Sequence, residues 1–302
     1  MKRPSRDPGT AIKLNLRREV NFGCPVRHKD GSGCGCPILT FHHFDPPWAG
    51  NYLHNPEGMI ALCPHHHNQA DGGLWSNEQL RIMKKSPFVD DVLRVQWPWQ
   101  PESLVIKVGA SLVVGSGSPF RLDGLPVLHF YPEEIEDLGI STVTFDSDIR
   151  DANRKSWLKI KDSYFDLRLK NTTNVIFSAQ TKTFLAKHND NTYISLRFKK
   201  YTFGEYKAWL ESFMPNPEIA VSAYNSTEKV GAVDSDGNVS VILFEGCFKT
   251  HKVGLSVKKD KIHFESYLPG RFESFEMGTT IVSAEHRAIM RMHNGPEFFS
   301  LG

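Results

Sequence analysis

The feature that most constrains the fold is a concentration of cysteine and histidine near the start of the chain. Four of the five cysteines fall within the first 63 residues, and six of the thirteen histidines lie between positions 39 and 73. A clustered, odd-numbered set of cysteines is more typical of metal ligands in a reducing compartment than of disulfides. The segment that these cysteines flank has too little apolar content to fold unaided, so we expect a structural zinc ion to supply the missing folding energy.

The cysteine and histidine spacing predicts which side chains hold this zinc. A tetrahedral zinc site takes four nitrogen or sulfur ligands, usually presented as two pairs. Cys63 and His66 form one pair with C-x-x-H spacing. Cys24 and Cys34 form the other predicted pair, because a glycine follows Cys34 and a knuckle turn tolerates the positive φ of glycine. Cys36 is the alternative to Cys34.

A second constellation of histidines points to a different metal. His67 lies four residues before Asp71, so on a helix both side chains can reach one cation. His42 and His43 are adjacent in a β-prone run, so their side chains point to opposite sides of a strand. One can then bind a metal while the other faces a substrate, an arrangement that suits phosphodiester hydrolysis. The alternative, a solvent-exposed helix start with incidental histidines, explains the HHH run but not its combination with the other ligands.

The order of these residues resembles the zinc-stabilised branch of the HNH nuclease family. The pattern is C…C…LTFHHFDPPW…HNPEGMIALCPHHHNQAD, and the resemblance covers about residues 10–86. It implies a ββα-metal fold, in which a hairpin and a helix surround one divalent ion such as Mg²⁺ or Mn²⁺. By resemblance, His42, His67 and Asp71 hold this catalytic metal, and His43 is the general base.

One position departs from the family pattern. The central asparagine of the family falls at Gly58, in the run GMIALC. Glycine can neither ligate a metal through a side chain nor brace the loop. Asn55, three residues earlier, is the predicted substitute and completes the catalytic set with His43 and His67.

The whole chain is expected to be an α+β protein with two parts. A small zinc-bound ββα-metal (HNH) domain covers residues 1–88, and a linker covers 89–101. A larger, mostly antiparallel β-rich region covers 102–302 and can divide into subdomains at about 102–203 and 217–302. We expect this region to serve recognition or regulation.

Three segments of the β-rich region have individual predictions. Residues 204–214 are predicted to form a helix, and EIAVSAY (218–224) is predicted to form a strand. Residues 283–293 fit either a helix or a strand.

The charge and hydropathy of the chain restrict which partners and which cellular compartment we expect. The net charge of +2 does not imply a polyanionic partner, but the first thirty residues carry a clear basic excess that fits a phosphate-facing end. Arg17, Arg18 and Arg27 are the predicted nucleic-acid contacts. No apolar run reaches the roughly 18 residues of a membrane span, and no secretory signal opens the sequence. We therefore expect a cytoplasmic protein without membrane association.

Together these patterns predict a metal-dependent HNH endonuclease. It would hydrolyse DNA phosphodiester bonds with a histidine general base and one divalent metal, in prokaryotic anti-phage defence or a mobile element. The alternatives are a non-catalytic zinc-dependent nucleic-acid-binding module and an RNA-directed nuclease. A protein partner or a second copy of the chain could bind through the β-rich region.

Overall fold

The structure, a computed structural model, describes residues 5–87, 91–97, 99, 101–109, 111–114, 117–122, 125–137, 139–151, 153, 155–214, 217–229, 231–249, 253–258, 261–266, 275–276 and 299–301. Six α-helices occur among them: α1 (Thr10–Glu19), α2 (Trp48–Asn51), α3 (Pro64–Asp71), α4 (Asn77–Lys85), α5 (Phe203–Phe213) and α6 (Pro217–Lys229). A single 3₁₀ turn spans Pro56–Gly58.

The same residues form extensive sheets. The strands are β1 (Thr40–His43), β2 (Met59–Leu62), β3 (Val92–Gln96), β4 (Val105–Val108), β5 (Ser111–Val114), β6 (Gly117–Leu122), β7 (Leu125–Ile135), β8 (Ile140–Arg150), β9 (Ser156–Lys161), β10 (Tyr164–Arg168), β11 (Thr172–Ser178), β12 (Thr183–His188), β13 (Tyr193–Thr202), β14 (Asn238–Lys249), β15 (Val253–Lys258), β16 (Lys261–Ser266), β17 (Phe275–Glu276) and β18 (Phe299–Leu301). The predicted α+β class is confirmed. The predicted linker contains β3, and the 283–293 segment lies outside the described residues.

The chain divides into two units. The first takes in the described residues up to Val95 together with Asp166–Gln180 and Leu185–Lys187. The second takes in the described residues of Gln96–Phe165, Thr181–Phe184 and His188–Gly302. Two segments, Asp166–Gln180 and Leu185–Lys187, therefore belong to the first unit, although they lie far along the chain from the residues of the predicted zinc domain.

The core of the first unit forms around β2. All four residues of this strand are buried, and α1 and α4 both pack against it. Leu16 of α1 and Leu80 of α4 are fully buried in this core. A capping box fixes the start of α4, because Ser76 and Gln79 satisfy each other's backbone N–H groups.

The second unit contains two sets of mainly antiparallel strands. Strands β6 to β9 pair consecutively, as do β13 to β16, with β18 beside β16. Strand β4 runs parallel to β14 and antiparallel to β5. Helices α5 and α6 pack on each other, and the buried Tyr206 hydroxyl lies 3.0 Å from the Thr227 hydroxyl.

The strand predicted for 218–224 is wrong, because this segment belongs to α6. The sequence carries two overlapping periods there. Ala220, Ala223 and Thr227 are buried, a spacing that matches one face of a helix. Val221, which an alternating strand pattern would place with the apolar set, is 44% exposed. Pro217 is compatible with the first turn of a helix.

No helix in the described ranges combines the length and the apolar character that crossing a membrane would require.

Candidate metal centre

A two-stranded sheet and one short helix form the framework of the candidate site. Strands β1 and β2 are antiparallel, with His42 opposite Ile60 and His43 opposite Met59. Helix α3 follows β2 directly and packs against both strands. Cys63 is its N-cap and Pro64 its first residue, a position where the missing N–H of proline costs no hydrogen bond. Side chains from β1 and α3 therefore meet.

Four side chains of the first unit form a cluster that could hold a metal ion such as zinc. The ligand atoms of Cys24, Cys34, Cys63 and His66 all lie within 4.8 Å of one another. His66 Nδ1 is 3.2 Å from Cys24 Sγ and 3.3 Å from Cys63 Sγ, and the Cys34 and Cys63 sulfurs are 3.9 Å apart. With zinc–sulfur bonds of about 2.3 Å, tetrahedral geometry places two sulfurs roughly 3.8 Å apart. The donor set and its spacing therefore fit zinc.

Backbone hydrogen bonds in the segment before β1 bring two of these thiols together. Cys34 N–H donates to Val26 O over 2.8 Å, and Gly35 N–H donates to Cys24 O over 3.1 Å. Cys36 lies outside the group of four, and its sulfur contacts the Ile38 carbonyl at 4.0 Å. Of the two alternatives from the sequence, Cys34 is the one that joins the cluster.

The thiols perturb one another's proton affinity. The hydrogen bond from Cys24 stabilises the Cys34 thiolate and lowers the pKa of Cys34 to about 5. The same interaction, followed by burial, raises the pKa of Cys24. Burial raises the pKa of Cys63. Without metal the cluster holds one thiolate beside two thiols, and a bound cation would replace their protons.

A second group of three side chains comes from β1 and α3. The ligand atoms of His42, His67 and Asp71 also lie within 4.8 Å of one another. The two oxygens of Asp71 divide between the histidines, at 3.0 Å from His42 Nδ1 and 3.3 Å from His67 Nδ1. His42 is buried, which lowers its pKa, whereas Asp71 is 42% exposed at its side chain. The group is therefore buried at His42 and accessible to solvent at the Asp71 carboxylate.

Hydrogen-bond partners constrain the ring of His67 in this group. His67 Nε2 lies 3.4 Å from the carbonyl of Phe41, which can only accept a hydrogen bond, so Nε2 carries the proton. A neutral His67 then has a bare Nδ1 that faces the Asp71 carboxylate. Two lone pairs 3.3 Å apart repel each other unless a proton or a cation lies between them. The three side chains offer nitrogen and oxygen donors and could hold a metal ion.

His43 lies on the other face of β1. Its Nε2 is 3.1 Å from Nδ1 of His54, and its ring lies 5.0 Å from the Trp48 ring. Burial, followed by the nearby His54, lowers the pKa of His43 to about 4. The imidazole is therefore neutral at pH 7.

Gly58 and Asn55 shape the loop that follows His43. A Cβ on Gly58 would lie 1.4 Å from the carbonyl oxygen of Asp45, so no side chain fits there. The Asn55 side chain donates to the same carbonyl over 3.3 Å and accepts from Glu57 N–H. Asn55 thus braces the loop through its side chain at the point where Gly58 has none.

The three arginines predicted to contact nucleic acid all make contacts within the first unit. The Arg17 guanidinium lies 5.0 Å from the centre of the Phe41 ring, where burial lowers its pKa. Arg18 donates to the Thr173 carbonyl, and Arg27 to the Pro87 carbonyl.

Sequence reasoning missed two residues that the structure places at the site. Arg6 Nη2 lies 3.7 Å from Asp71 Oδ1 and is 56% exposed, and His54 contacts His43. The basic excess near the N-terminus included Arg6 without singling it out. The contact of His54 joins it to a residue eleven positions away, so no local pattern marked it.

Comparisons of the chain with protein-family models, curated proteins and solved structures find no match in any of the three. The functional conclusion therefore depends on the two ligand groups and on His43.

Proposed function

We propose that the first unit is a metal-dependent endonuclease of the HNH type that hydrolyses phosphodiester bonds in DNA. One observation carries the proposal: β1 presents His42 to the group with His67 and Asp71 and presents the neighbouring His43 to the opposite face. A cation site and a neutral imidazole base then lie one residue apart, which is the combination that metal-assisted hydrolysis needs.

The proposed mechanism assigns a separate task to each group. A divalent cation such as Mg²⁺ or Mn²⁺, held by His42, His67 and Asp71, would stabilise negative charge on the phosphoryl and leaving oxygens. His43 takes a proton from water as the water oxygen attacks phosphorus. The bond from phosphorus to the leaving oxygen breaks, and that oxygen takes a proton from solvent. Arg6, half-exposed beside Asp71, would pair with the scissile phosphate.

The cysteine cluster has a structural task in this proposal. Zinc held by Cys24, Cys34, Cys63 and His66 would join the irregular segment before β1 to the start of α3. Structural zinc sites of this kind contribute their binding free energy to folding.

The proposal is tested with the full chain, supercoiled plasmid and Mg²⁺ or Mn²⁺. We expect cleavage that His43→Ala and His42→Ala both abolish while retaining the far-UV circular dichroism of the parent protein. His65→Ala is the matched control, because His65 is exposed on α3, its hydrogen bond is to Gln69, and its other described contact is the edge of the neighbouring His66 ring. This control should cleave at the parent rate.

Two results would overturn the proposal. Cleavage that survives His43→Ala would exclude His43 as the base. Binding of DNA without cleavage under any divalent ion would indicate the non-catalytic binding module instead. A parallel assay with RNA distinguishes a DNA-directed enzyme from an RNA-directed one.

For the second unit we propose a recognition role. Among the described residues, the two groups of metal-ligating side chains both lie in the first unit, so the proposed hydrolysis is assigned to that unit. Light scattering on the full chain, alone and with DNA, would show whether the recognised partner is a second copy, since self-association doubles the measured mass. A monomer under both conditions would exclude the second copy.

A further inference from the structure

A chain of two hydrogen bonds connects His43 to the backbone near the N-terminus. His54 Nε2 lies 3.1 Å from the carbonyl oxygen of Ser5, and His54 Nδ1 lies 3.1 Å from Nε2 of His43. Both contacts use ring nitrogens, so the position of one proton determines the position of the next.

The carbonyl end sets the direction of this chain. A carbonyl oxygen can only accept, so Nε2 of His54 carries a proton and donates a hydrogen bond to the Ser5 carbonyl oxygen. A neutral imidazole carries one ring proton, so Nδ1 of His54 is an acceptor. Nε2 of His43 must then donate to it, which leaves Nδ1 of His43 with a free lone pair.

An independent observation agrees with this direction. Nδ1 of His43 is buried and has no hydrogen-bond partner among the described protein groups. A buried polar atom without a partner is uncommon and needs an explanation. An Nδ1 that carries no proton leaves no buried donor unpaired, which agrees with a proton on Nε2.

We propose that His54 is a positioning residue that fixes the tautomer and ring orientation of His43, with the proton on Nε2 and Nδ1 left unprotonated. The role in hydrolysis rests on the proposed nuclease function, whereas the tautomer itself is a property of the folded chain.

Neighbouring contacts hold both ends of the chain in place. The ring of Trp48 stacks on His54, with centroids 4.8 Å apart and planes 25° from parallel. On the other side, the backbone around Ser5 is tied down by an ion pair of 2.5 Å between Asp7 and Lys13 of α1. The acceptor carbonyl and the His54 ring are therefore held by separate contacts.

Two substitutions of His54 separate its hydrogen bond from its packing. His54→Phe keeps an aromatic ring against Trp48 but removes the acceptor for His43. His54→Asn removes the ring but places an amide oxygen where Nδ1 was. If the hydrogen bond matters, the Phe variant should lose about 10- to 100-fold in kcat with little change in KM, and the Asn variant should recover most of it. The reverse order would show that packing alone matters and would overturn the proposal.

A spectroscopic measurement tests the tautomer without any catalytic assay. Long-range ¹⁵N–¹H correlation on histidine-labelled full-length protein should show His43 with its proton on Nε2, and His54→Phe should shift it toward a mixture. A proton on Nδ1 of His43 in the parent protein would overturn the proposal. If the parent protein cleaves no nucleic acid but His43 is protonated at Nε2, the nuclease proposal fails and the hydrogen-bond chain stands.

Discussion

Gly58 lies where the HNH resemblance places an asparagine, and restoring that residue tests the backbone path directly. A Cβ at Gly58 would lie 1.4 Å from the Asp45 carbonyl oxygen, whereas real Cβ contacts stay above 3.0 Å. The two backbone segments would have to separate by about 1.6 Å, the difference between these distances. Three hydrogen bonds depend on their approach: Phe44 N–H and Asp45 N–H to the Gly58 carbonyl, and the Asn55 amide to Asp45.

The expected cost of Gly58→Asn follows from those hydrogen bonds. At about 1 kcal/mol each, their loss lowers the free energy of unfolding by about 3 kcal/mol. Urea denaturation of zinc-loaded protein, followed by circular dichroism, measures it. Gly9→Asn is the matched control, because Gly9 precedes α1 in open space and asparagine is a favourable N-cap residue there. An unchanged midpoint for Gly58→Asn would refute the backbone path and would indicate that the family loop fits this chain.

Two further predictions concern the first unit. Leu80→Ala should lower the free energy of unfolding by about 2–5 kcal/mol, because Leu80 is only 1% exposed. Ile82→Ala on the same helix should change it by less than about 0.5 kcal/mol, because Ile82 is 56% exposed. Equal urea midpoints for the two variants would contradict this difference in burial. Zinc binding at pH 7 should release about two protons per ion, from Cys24 and Cys63, because their pKa values are raised while Cys34 is already a thiolate. Calorimetry at pH 7 in buffers of different ionisation enthalpy counts the released protons, and release of three protons would refute the thiolate at Cys34. Binding that releases protons strengthens as pH rises, so zinc should bind more tightly at pH 8 than at pH 7.

The parts of the site that the sequence could predict are those set by local spacing. Cys63 and His66 are three residues apart across a helix start, and His67 and Asp71 are four apart within the helix, so secondary structure alone brings each pair together. The alternation along β1 likewise separates His42 from its neighbour without any tertiary information.

The parts that could not be predicted depend on the path of the backbone between elements. The environment of His54 needs the Ser5 carbonyl, 49 positions away, and the room at Gly58 depends on the approach of Asp45. In α6 the sequence supports two periods at once, and contact with α5 decides between them. The assignment of Asp166–Gln180 and Leu185–Lys187 to the first unit has no local signature in the sequence.

Helix α3 contributes side chains to both ligand groups, and its short length makes contacts at both of its ends important for its stability. It spans only Pro64–Asp71, well short of the roughly 12–15 residues at which isolated helices become marginally stable. Its N-terminal end is held where Cys63 and His66 meet the other thiols, and its last residue is held where Asp71 meets His42. Successive helical residues are about 100° apart, so fixing the direction of His66 also fixes the direction of His67. A cation at the cysteine cluster would therefore set the rotation of the helix and, one residue later, the position of His67 in the group with His42 and Asp71.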